Sequence, residues 1–134
     1  MADKKLMIDT SILIDYFRKT DKAKSRLVGH FQNFNQLYIS SITEFEIFNG
    51  ATAAHKDFWN SMLTELIVLN FDRDAARAAA DIIGQLKLKR ITIDKPDLFI
   101  AATAVVNELT FDTLNIRHFQ EIENLKLLRN QKDK

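Results

Sequence analysis

The sequence predicts an α/β fold, in which a single domain contains a parallel sheet flanked by helices on both faces. Short apolar runs alternate with helical segments along the chain, as they do in βαβ units. The first run, Lys5–Ile8, is continuously apolar after its lysine, which is typical of a parallel strand covered on both faces. A length of 134 residues with 46% apolar residues suits one domain spanning residues 1–134.

The individual elements follow from apolar spacing and capping residues. We expect the first strand to end at Asp9, with Thr10 or Ser11 capping a helix that runs to about Arg18. The later expected strands are 37–39, 67–69 and 109–111, with a further extended segment at 91–93. The later expected helices are 22–31 capped by Asp21, 42–49 with a capping box of Ser41 and Glu44, 54–65, and 75–87 capped by Asp72. Helix 97–107, opened by Pro96 at its first position, and a helical turn at 117–122 complete the expected elements. The apolar run 125–128 precedes a charged tail, residues 130–134, that we expect to be frayed.

The composition excludes several kinds of site. The absence of cysteine excludes disulfides, thiolate zinc sites and a cysteine nucleophile, and the three histidines lack the spacing of metal ligands. The chain has no phosphate-binding loop, no GxGxxG and no GxSxG, and a haloacid-dehalogenase phosphatase would need an acid where Ser11 stands. The N-terminus does not resemble a signal peptide and no apolar run has membrane-spanning length, so we expect a soluble cytoplasmic protein.

Acidic residues recur where the predicted strands end. Asp9 follows the first strand, Asp112 follows Phe111 at the end of another, and Asp97 heads the helix after the extended segment 91–93. Functional crevices of open parallel sheets lie outside the carboxyl ends of the strands. Each acid also has a purely structural interpretation, Asp9 as a helix cap and Asp97 as a first-turn acid that favours the helix dipole.

A third helix offers two further acids, Glu44 and Glu46. They lie two positions apart on one helix, so only one of them can face the crevice. The capping box accounts for Glu44, which leaves Glu46 as the candidate, with a solvated helix edge as its alternative. Three converging carboxylates repel one another unless a cation joins them, and oxygen ligands of this kind suit Mg²⁺ or Mn²⁺. Such an ion can promote hydrolysis of a phosphodiester.

Four motifs occur in order along the chain: Asp9-Thr10-Ser11, the segment 46–50 from Glu46 to Gly50, Asp97 with the small residues of 100–104, and the segment 113–119. Together they resemble the PIN-domain family, and most closely the VapC-type ribonuclease toxins of toxin–antitoxin pairs. The resemblance covers residues 7–128. It implies a Mg²⁺-dependent (or Mn²⁺-dependent) endoribonuclease that acts on RNA, is inhibited by a cognate antitoxin protein and forms a homodimer.

The resemblance also implies roles for individual residues. Asp9, Asp97 and Glu46 correspond to the metal-binding acids, and Glu46, rather than Glu44, would orient or deprotonate the attacking water. Ser11 or Thr10 and Thr113 correspond to hydroxyl groups that bind water on the metal or the scissile phosphate.

The fourth acidic position of many PIN nucleases is occupied here by Asn115. Asp112 is the other candidate for closing the metal site, and we expect Asn115 near the metal and Asp112 at the periphery. Two groups of basic residues could steer RNA by their charge. They are Lys22, Lys24 and Arg26 in one helix, and Lys87, Lys89 and Arg90 in another. Such residues more often only expose a helix face to solvent. The alternative function is a catalytically weakened PIN-fold binding module in a protein or RNA complex.

Overall fold

A five-stranded parallel sheet forms the centre of the computed structural model, which describes residues 4–128. The strands are β1 (Lys5–Ile8), β2 (Gln36–Ser40), β3 (Ile67–Leu69), β4 (Thr110–Asp112) and β5 (Lys126–Leu127). They lie in the order β3-β2-β1-β4-β5, and every neighbouring pair is parallel. The predicted fold class is therefore confirmed. The predicted tail, residues 130–134, lies outside the described residues.

Helices connect the strands and cover both faces of the sheet. Within the described range they are α1 (Thr10–Arg18), α2 (Arg26–Asn33), α3 (Ser41–Gly50), α4 (Lys56–Leu63), α5 (Arg73–Leu88) and α6 (Lys95–Val106). Short 3₁₀ turns are present at Lys22–Lys24, Ala53–His55 and Ile116–His118. No helix in the described part of the chain is long and apolar enough to cross a membrane.

Alternation of side chains along β1 divides the core into two apolar clusters. Met7 points to the face covered by α5 and α6, whereas Leu6 and Ile8 point to the face covered by α1 and its neighbours. All three side chains are fully buried. This explains why the first apolar run does not alternate: each face of the central strand lies in a hydrophobic core.

Three predicted helix starts are wrong in detail. The expected helix 22–31 is instead a 3₁₀ turn followed by α2, because the Ser25 side chain caps a new helix start by accepting a hydrogen bond from the Val28 amide. The predicted capping box is absent, since Ser40 caps α3. The hydroxyl of Ser41 instead accepts a hydrogen bond from the Phe71 amide. The predicted helix 54–65 begins with the 3₁₀ turn Ala53–His55, and its α-helical part ends at Leu63.

Differences after α5 concern the edge of the fold. The segment 91–93 pairs with no strand, Pro96 is the second residue of α6 rather than its first, and the helical turn expected at 117–122 is the 3₁₀ turn Ile116–His118. The run 125–128, which carried no prediction of a strand, contributes the short edge strand β5.

The packing of α6 determines where its first turn lies. Ala101, Ala102 and Ala104 are fully buried, and their small side chains allow α6 to approach the sheet closely. Asp97, in the first turn, is thereby held beside the carboxyl ends of the strands, where Asp9 follows β1.

Candidate active site

Asp9 lies immediately after the central strand and is the N-cap of α1. Its Oδ1 accepts hydrogen bonds from the Ser11 amide (3.1 Å) and the Ser11 hydroxyl (2.5 Å), and its Oδ2 accepts one from the Thr113 hydroxyl (2.7 Å). The prediction that Thr10 or Ser11 caps this helix is wrong, because the Asp9 side chain itself satisfies the first free amide. Asp9 therefore has both roles that the sequence suggested, since it caps α1 and also lines the cleft.

The Asp9 carboxylate is buried, and no cationic side chain of the described residues is paired with it. The residue is 3% exposed, and burial is the largest of the effects that raise the pKa of its carboxyl above the ordinary value of 3.8. Hydrogen bonds from Ser11 and Thr113 lower the pKa, and the negative charge of Asp97 raises it further. Among residues 4–128, no lysine, arginine or histidine forms an ion pair with Asp9.

The candidate catalytic residues surround one open cleft of about 720 Å³. The cleft is lined by five of the six side chains that the sequence nominated, namely Asp9, Ser11, Glu46, Asp97 and Asn115. The sixth, Thr113, is 1% exposed and reaches the site through its hydrogen bond to Asp9. Glu46 lines the cleft and Glu44 does not.

Glu46 is held by hydroxyl groups of two helices. The Thr10 hydroxyl donates to Glu46 Oε1 at 2.6 Å, and the Thr43 hydroxyl lies 3.1 Å from the Thr10 oxygen. Thr43 is one helical turn before Glu46 on α3, whereas Thr10 opens α1. This network links the Glu46 carboxylate to the helix that Asp9 caps.

The structure adds residues that the sequence did not single out. His118 Nδ1 lies 3.0 Å from Asp97 Oδ2, and both His118 and Asp94 line the cleft. His118 and Asp97 are 21 positions apart, and no local sequence pattern predicts contact between residues at that separation. Arg18 and Lys19, at the end of α1, line another part of the cleft.

Asp112 does not line the cleft. Its Oδ2 lies 2.6 Å from His30 Nε2 and 3.6 Å from Arg26 Nε, so the carboxylate is directed toward α2. It is 5% exposed, and therefore neither reaches the crevice nor meets solvent at the strand end. Asn115, by contrast, lines the cleft.

Three of the six basic residues proposed to steer RNA, Lys22, Arg26 and Lys89, have other partners. The Lys22 ammonium donates to the carbonyls of Tyr16 and Phe17 at 3.0 Å, which satisfies the end of α1. Arg26 is paired with Asp112, and Lys89 Nζ lies 2.9 Å from Glu123 Oε1.

The donor set of the cleft fits a small, hard cation. Mg²⁺ prefers oxygen ligands, keeps several waters and commonly uses only one or two carboxylates. Asp9 and Asp97 could provide those carboxylates, and a cation bound there would relieve the repulsion between them. Within residues 4–128 no three acidic or histidine side chains are grouped closely enough to form a preformed three-ligand cage. The cleft therefore fits an ion held by two carboxylates with Glu46 nearby.

The protein is therefore of the α/β class, with a parallel sheet and an open cleft lined by buried and half-buried acids at the carboxyl ends of its strands. The sequence pattern of the PIN domain matches residues 6–125. The chain belongs to the PIN-domain family.

Curated relatives are similar along most of their length. Ribonuclease VapC1 of Methanocaldococcus jannaschii is 30% identical over 126 residues, which cover 93% of this chain and 86% of the relative. Ribonuclease VapC1 of Rickettsia felis is 30% identical over 131 residues, covering 92% of this chain and 94% of the relative.

Solved structures support the same fold. The DNA-bound VapBC structure from Salmonella typhimurium contains a chain that is 26% identical, with a TM-score of 0.83 and coverage of 93% of this chain and 97% of that one. VapBC2 from Rickettsia felis, bound to a promoter DNA fragment, also gives 26% identity, with a TM-score of 0.81 and coverage of 92% and 97%.

Substitution of Asp9 by Asn should stabilise the metal-free protein at neutral pH. The raised pKa means that the folded state holds the Asp9 proton more tightly than the unfolded chain does. The associated stability is complete below pH 3.8 and is lost as the pH rises through the folded-state pKa. Asn removes the charge and remains a good N-cap. Urea unfolding in EDTA should show the advantage of Asp9→Asn at pH 7 and its decline toward pH 4.

Asp72→Asn is the matched control, because Asp72 is also an N-cap but is exposed. It should change the free energy of unfolding by less than about 0.5 kcal/mol at either pH. An Asp9→Asn protein that is less stable than wild type at pH 7 would contradict this account of the site.

Asn115→Asp should tighten the binding of Mn²⁺, because it adds a carboxylate to the lining of the cleft. Asp112→Asn should change Mn²⁺ binding little, since the Asp112 carboxylate is directed toward His30. Isothermal titration calorimetry of both variants, with circular dichroism as the check on folding, measures the ranking. The reverse ranking would mean that Asp112 supplies the fourth carboxylate.

Proposed function

We propose that this protein is a Mg²⁺- or Mn²⁺-dependent endoribonuclease that cleaves RNA phosphodiesters and is the toxin of a toxin–antitoxin pair. The observation that carries the proposal is the buried Asp9 carboxylate, which shares a cleft with Asp97 and Glu46 and has no protein cation paired with it in the described range. Curated relatives named ribonuclease VapC support the assignment of RNA as substrate.

Asp9 and Asp97 would hold the ion, with Glu46 as the third acidic group. A bound Mg²⁺ ion supplies Lewis-acid stabilisation of a phosphodiester and lowers the pKa of water. Ser11 and Thr113 donate to opposite oxygens of Asp9, so we assign them to orienting that carboxylate as well as to the substrate-side role expected from the family. The backbone N–H of Asn115 donates to the Thr113 hydroxyl at 2.9 Å and so supports the same network.

Glu46 is the candidate for orienting or deprotonating the attacking water. The hydrogen bond from Thr10 occupies its Oε1 and limits rotation of the carboxylate. A general base has to lie within hydrogen-bond reach of the proton that it removes. Glu46 lines the cleft, so its carboxylate is accessible to a water molecule bound there. The neutral side-chain amide of glutamine cannot accept a proton in this way, which makes Glu46→Gln a substitution aimed at the chemical step.

Arg18 and Lys19 are further candidate RNA-binding cations, because both line the cleft directly. Lys19 Nζ lies 3.6 Å from Asp15 Oδ1, on the same part of the cleft wall. Lys22, Arg26 and Lys89, by contrast, have partners away from the cleft. Phosphate contacts of this kind add affinity without base specificity, and salt weakens them.

A catalytically weakened binding module is the second candidate function. The observation that favours it is the amide of Asn115 at the fourth acidic position, which lowers the negative charge available to a metal. Such a module would bind RNA or a protein through the same cleft without cleaving RNA.

Asp97→Asn distinguishes the two candidates. It should lower the rate of RNA cleavage at least about 100-fold, because it removes one of the two metal-holding carboxylates. EDTA should abolish cleavage by the wild type, and added Mn²⁺ or Mg²⁺ should restore it. The assay uses transfer and ribosomal RNA with proteins purified in parallel.

Asp81→Asn, an exposed acid on α5 outside the cleft, is the control and should cleave as the wild type does. Equal cleavage by Asp97→Asn and the wild type would identify the activity as a contaminant. Absence of cleavage by the wild type would favour the binding module.

Expression of the wild-type chain alone should arrest bacterial growth, whereas expression of Asp97→Asn should not. A small protein encoded beside the gene should copurify with the chain and prevent the arrest. We expect it to place an arginine or lysine among Asp9, Glu46 and Asp97, where a guanidinium can pair with a carboxylate in bidentate fashion. The similar solved structures from Rickettsia felis and Salmonella typhimurium are VapBC assemblies, which supports such a partner.

Growth that continues, with no copurifying neighbour, would contradict the toxin assignment. A homodimer is a further part of this proposal and rests on the family resemblance.

A further inference from the structure

A second, smaller cavity adjoins the catalytic cleft and is not explained by metal binding. Its volume is about 230 Å³, and Asp94, Asp97 and His118 line both spaces. If the scissile phosphate of an RNA substrate lies at Asp97, the nucleoside next to that phosphate is within reach of the second cavity.

The inner wall of this cavity is apolar. Ile91 and Ile93 are half-buried, and Ile122 is 5% exposed. The first two belong to the segment 91–93, which the sequence predicted as extended but which pairs with no strand. These aliphatic side chains form a surface against which a flat ring can pack, as apolar side chains do in pockets that hold an unstacked base.

The polar rim carries more acids than bases. Asp94, Asp97 and Glu121 contribute carboxylates, whereas Arg117 and His118 are the basic residues that line the cavity, and His118 Nδ1 lies 3.0 Å from Asp97 Oδ2. This excess of negative charge disfavours a phosphate inside the second cavity, but it suits a neutral group that presents N–H donors. Arg117 in turn suits a group that presents paired acceptors.

We propose that the second cavity binds a guanine base adjacent to the scissile phosphate, an inference that rests on the proposed ribonuclease function. Guanine presents O6 and N7 as paired acceptors, which arginine contacts with two hydrogen bonds, and its N1 and N2 groups are donors for carboxylates. The other three bases lack this combination. The volume lies below the roughly 300–1,000 Å³ of pockets for drug-sized ligands, so it suits a single base.

The first test measures binding without any need for cleavage. Guanosine monophosphate is titrated into protein labelled at isoleucine methyl groups, in the presence of Mg²⁺. The methyl signals of Ile93 and Ile122 should shift and saturate with this nucleotide, and should respond at least about fivefold more weakly to adenosine, cytidine and uridine monophosphates. Absence of a shift, or equal shifts with all four nucleotides, would overturn the inference.

Arg117→Met and Arg77→Met form a matched pair of variants. Both arginines are exposed, but Arg77 is on α5 and lines neither cavity. Arg117→Met should weaken guanosine monophosphate binding about 5- to 150-fold, the discrimination given by one bidentate contact, and Arg77→Met should leave it unchanged. Equal effects of the two substitutions would overturn the assignment of Arg117.

Cleavage of a short RNA library with randomised sequence provides the second test. The wild type should prefer guanine at one position flanking the cut, and Arg117→Met should lose that preference mainly through a higher KM. A preference for another base, or an unchanged preference in the variant, would overturn the inference while leaving the ribonuclease function intact. Selective guanosine monophosphate binding by a wild type that cleaves no RNA would instead overturn the proposed function and support the base site.

Discussion

The burial of one negative charge governs the arrangement of residues at the carboxyl end of the sheet. Asp9 is 3% exposed at the end of the central strand, and an ionised carboxylate in such a place is costly unless hydrogen bonds or a cation compensate it. Ser11 and Thr113 donate to its two oxygens, which ties α1 and the segment after β4 to the same group. The remaining cost, reflected in the raised pKa, is the part that a divalent cation would offset.

The other acids reach the cleft because the surrounding packing requires their helices to lie there. Fully buried alanines bring α6 against the sheet, and Asp97 follows as its first-turn acid. Glu46 is held through Thr10, the first residue of α1. Repulsion between these carboxylates lowers the stability of the metal-free fold. Functional sites commonly contain residues that reduce the stability of the folded protein in this way.

Apolar runs were sufficient to predict the strands that form the sheet centre and the two long helices α5 and α6, because burial on both faces leaves a clear pattern. Caps were harder to predict. Ser40 and Ser41 are both suitable N-caps, and only the tertiary contact of Ser41 with the Phe71 amide decides between them. The pattern of the β-branched segment 91–93 predicts an extended strand, yet the segment pairs with no strand in the described part of the chain, and all three of its residues line a cavity.

Candidate site residues were recognisable when they followed strand ends or belonged to ordered motifs, as Asp9, Glu46 and Asp97 do. Contacts between distant residues had no such pattern. His30 and Asp112 are 82 positions apart, and nothing in the local sequence indicates that this pair directs the Asp112 carboxylate away from the cleft. The pairing of His118 with Asp97 was equally invisible, although His118 belongs to the last motif of the family resemblance.

Anomalous diffraction from crystals of the wild-type protein soaked in Mn²⁺ tests the central claim most directly, because it locates the cation without relying on activity. The account predicts an anomalous peak between the carboxylates of Asp9 and Asp97, with Glu46 beside it and water completing the coordination. A fully loaded crystal with no peak at Asp9, or with its peak elsewhere, would contradict the claim that this buried charge is balanced by a metal ion.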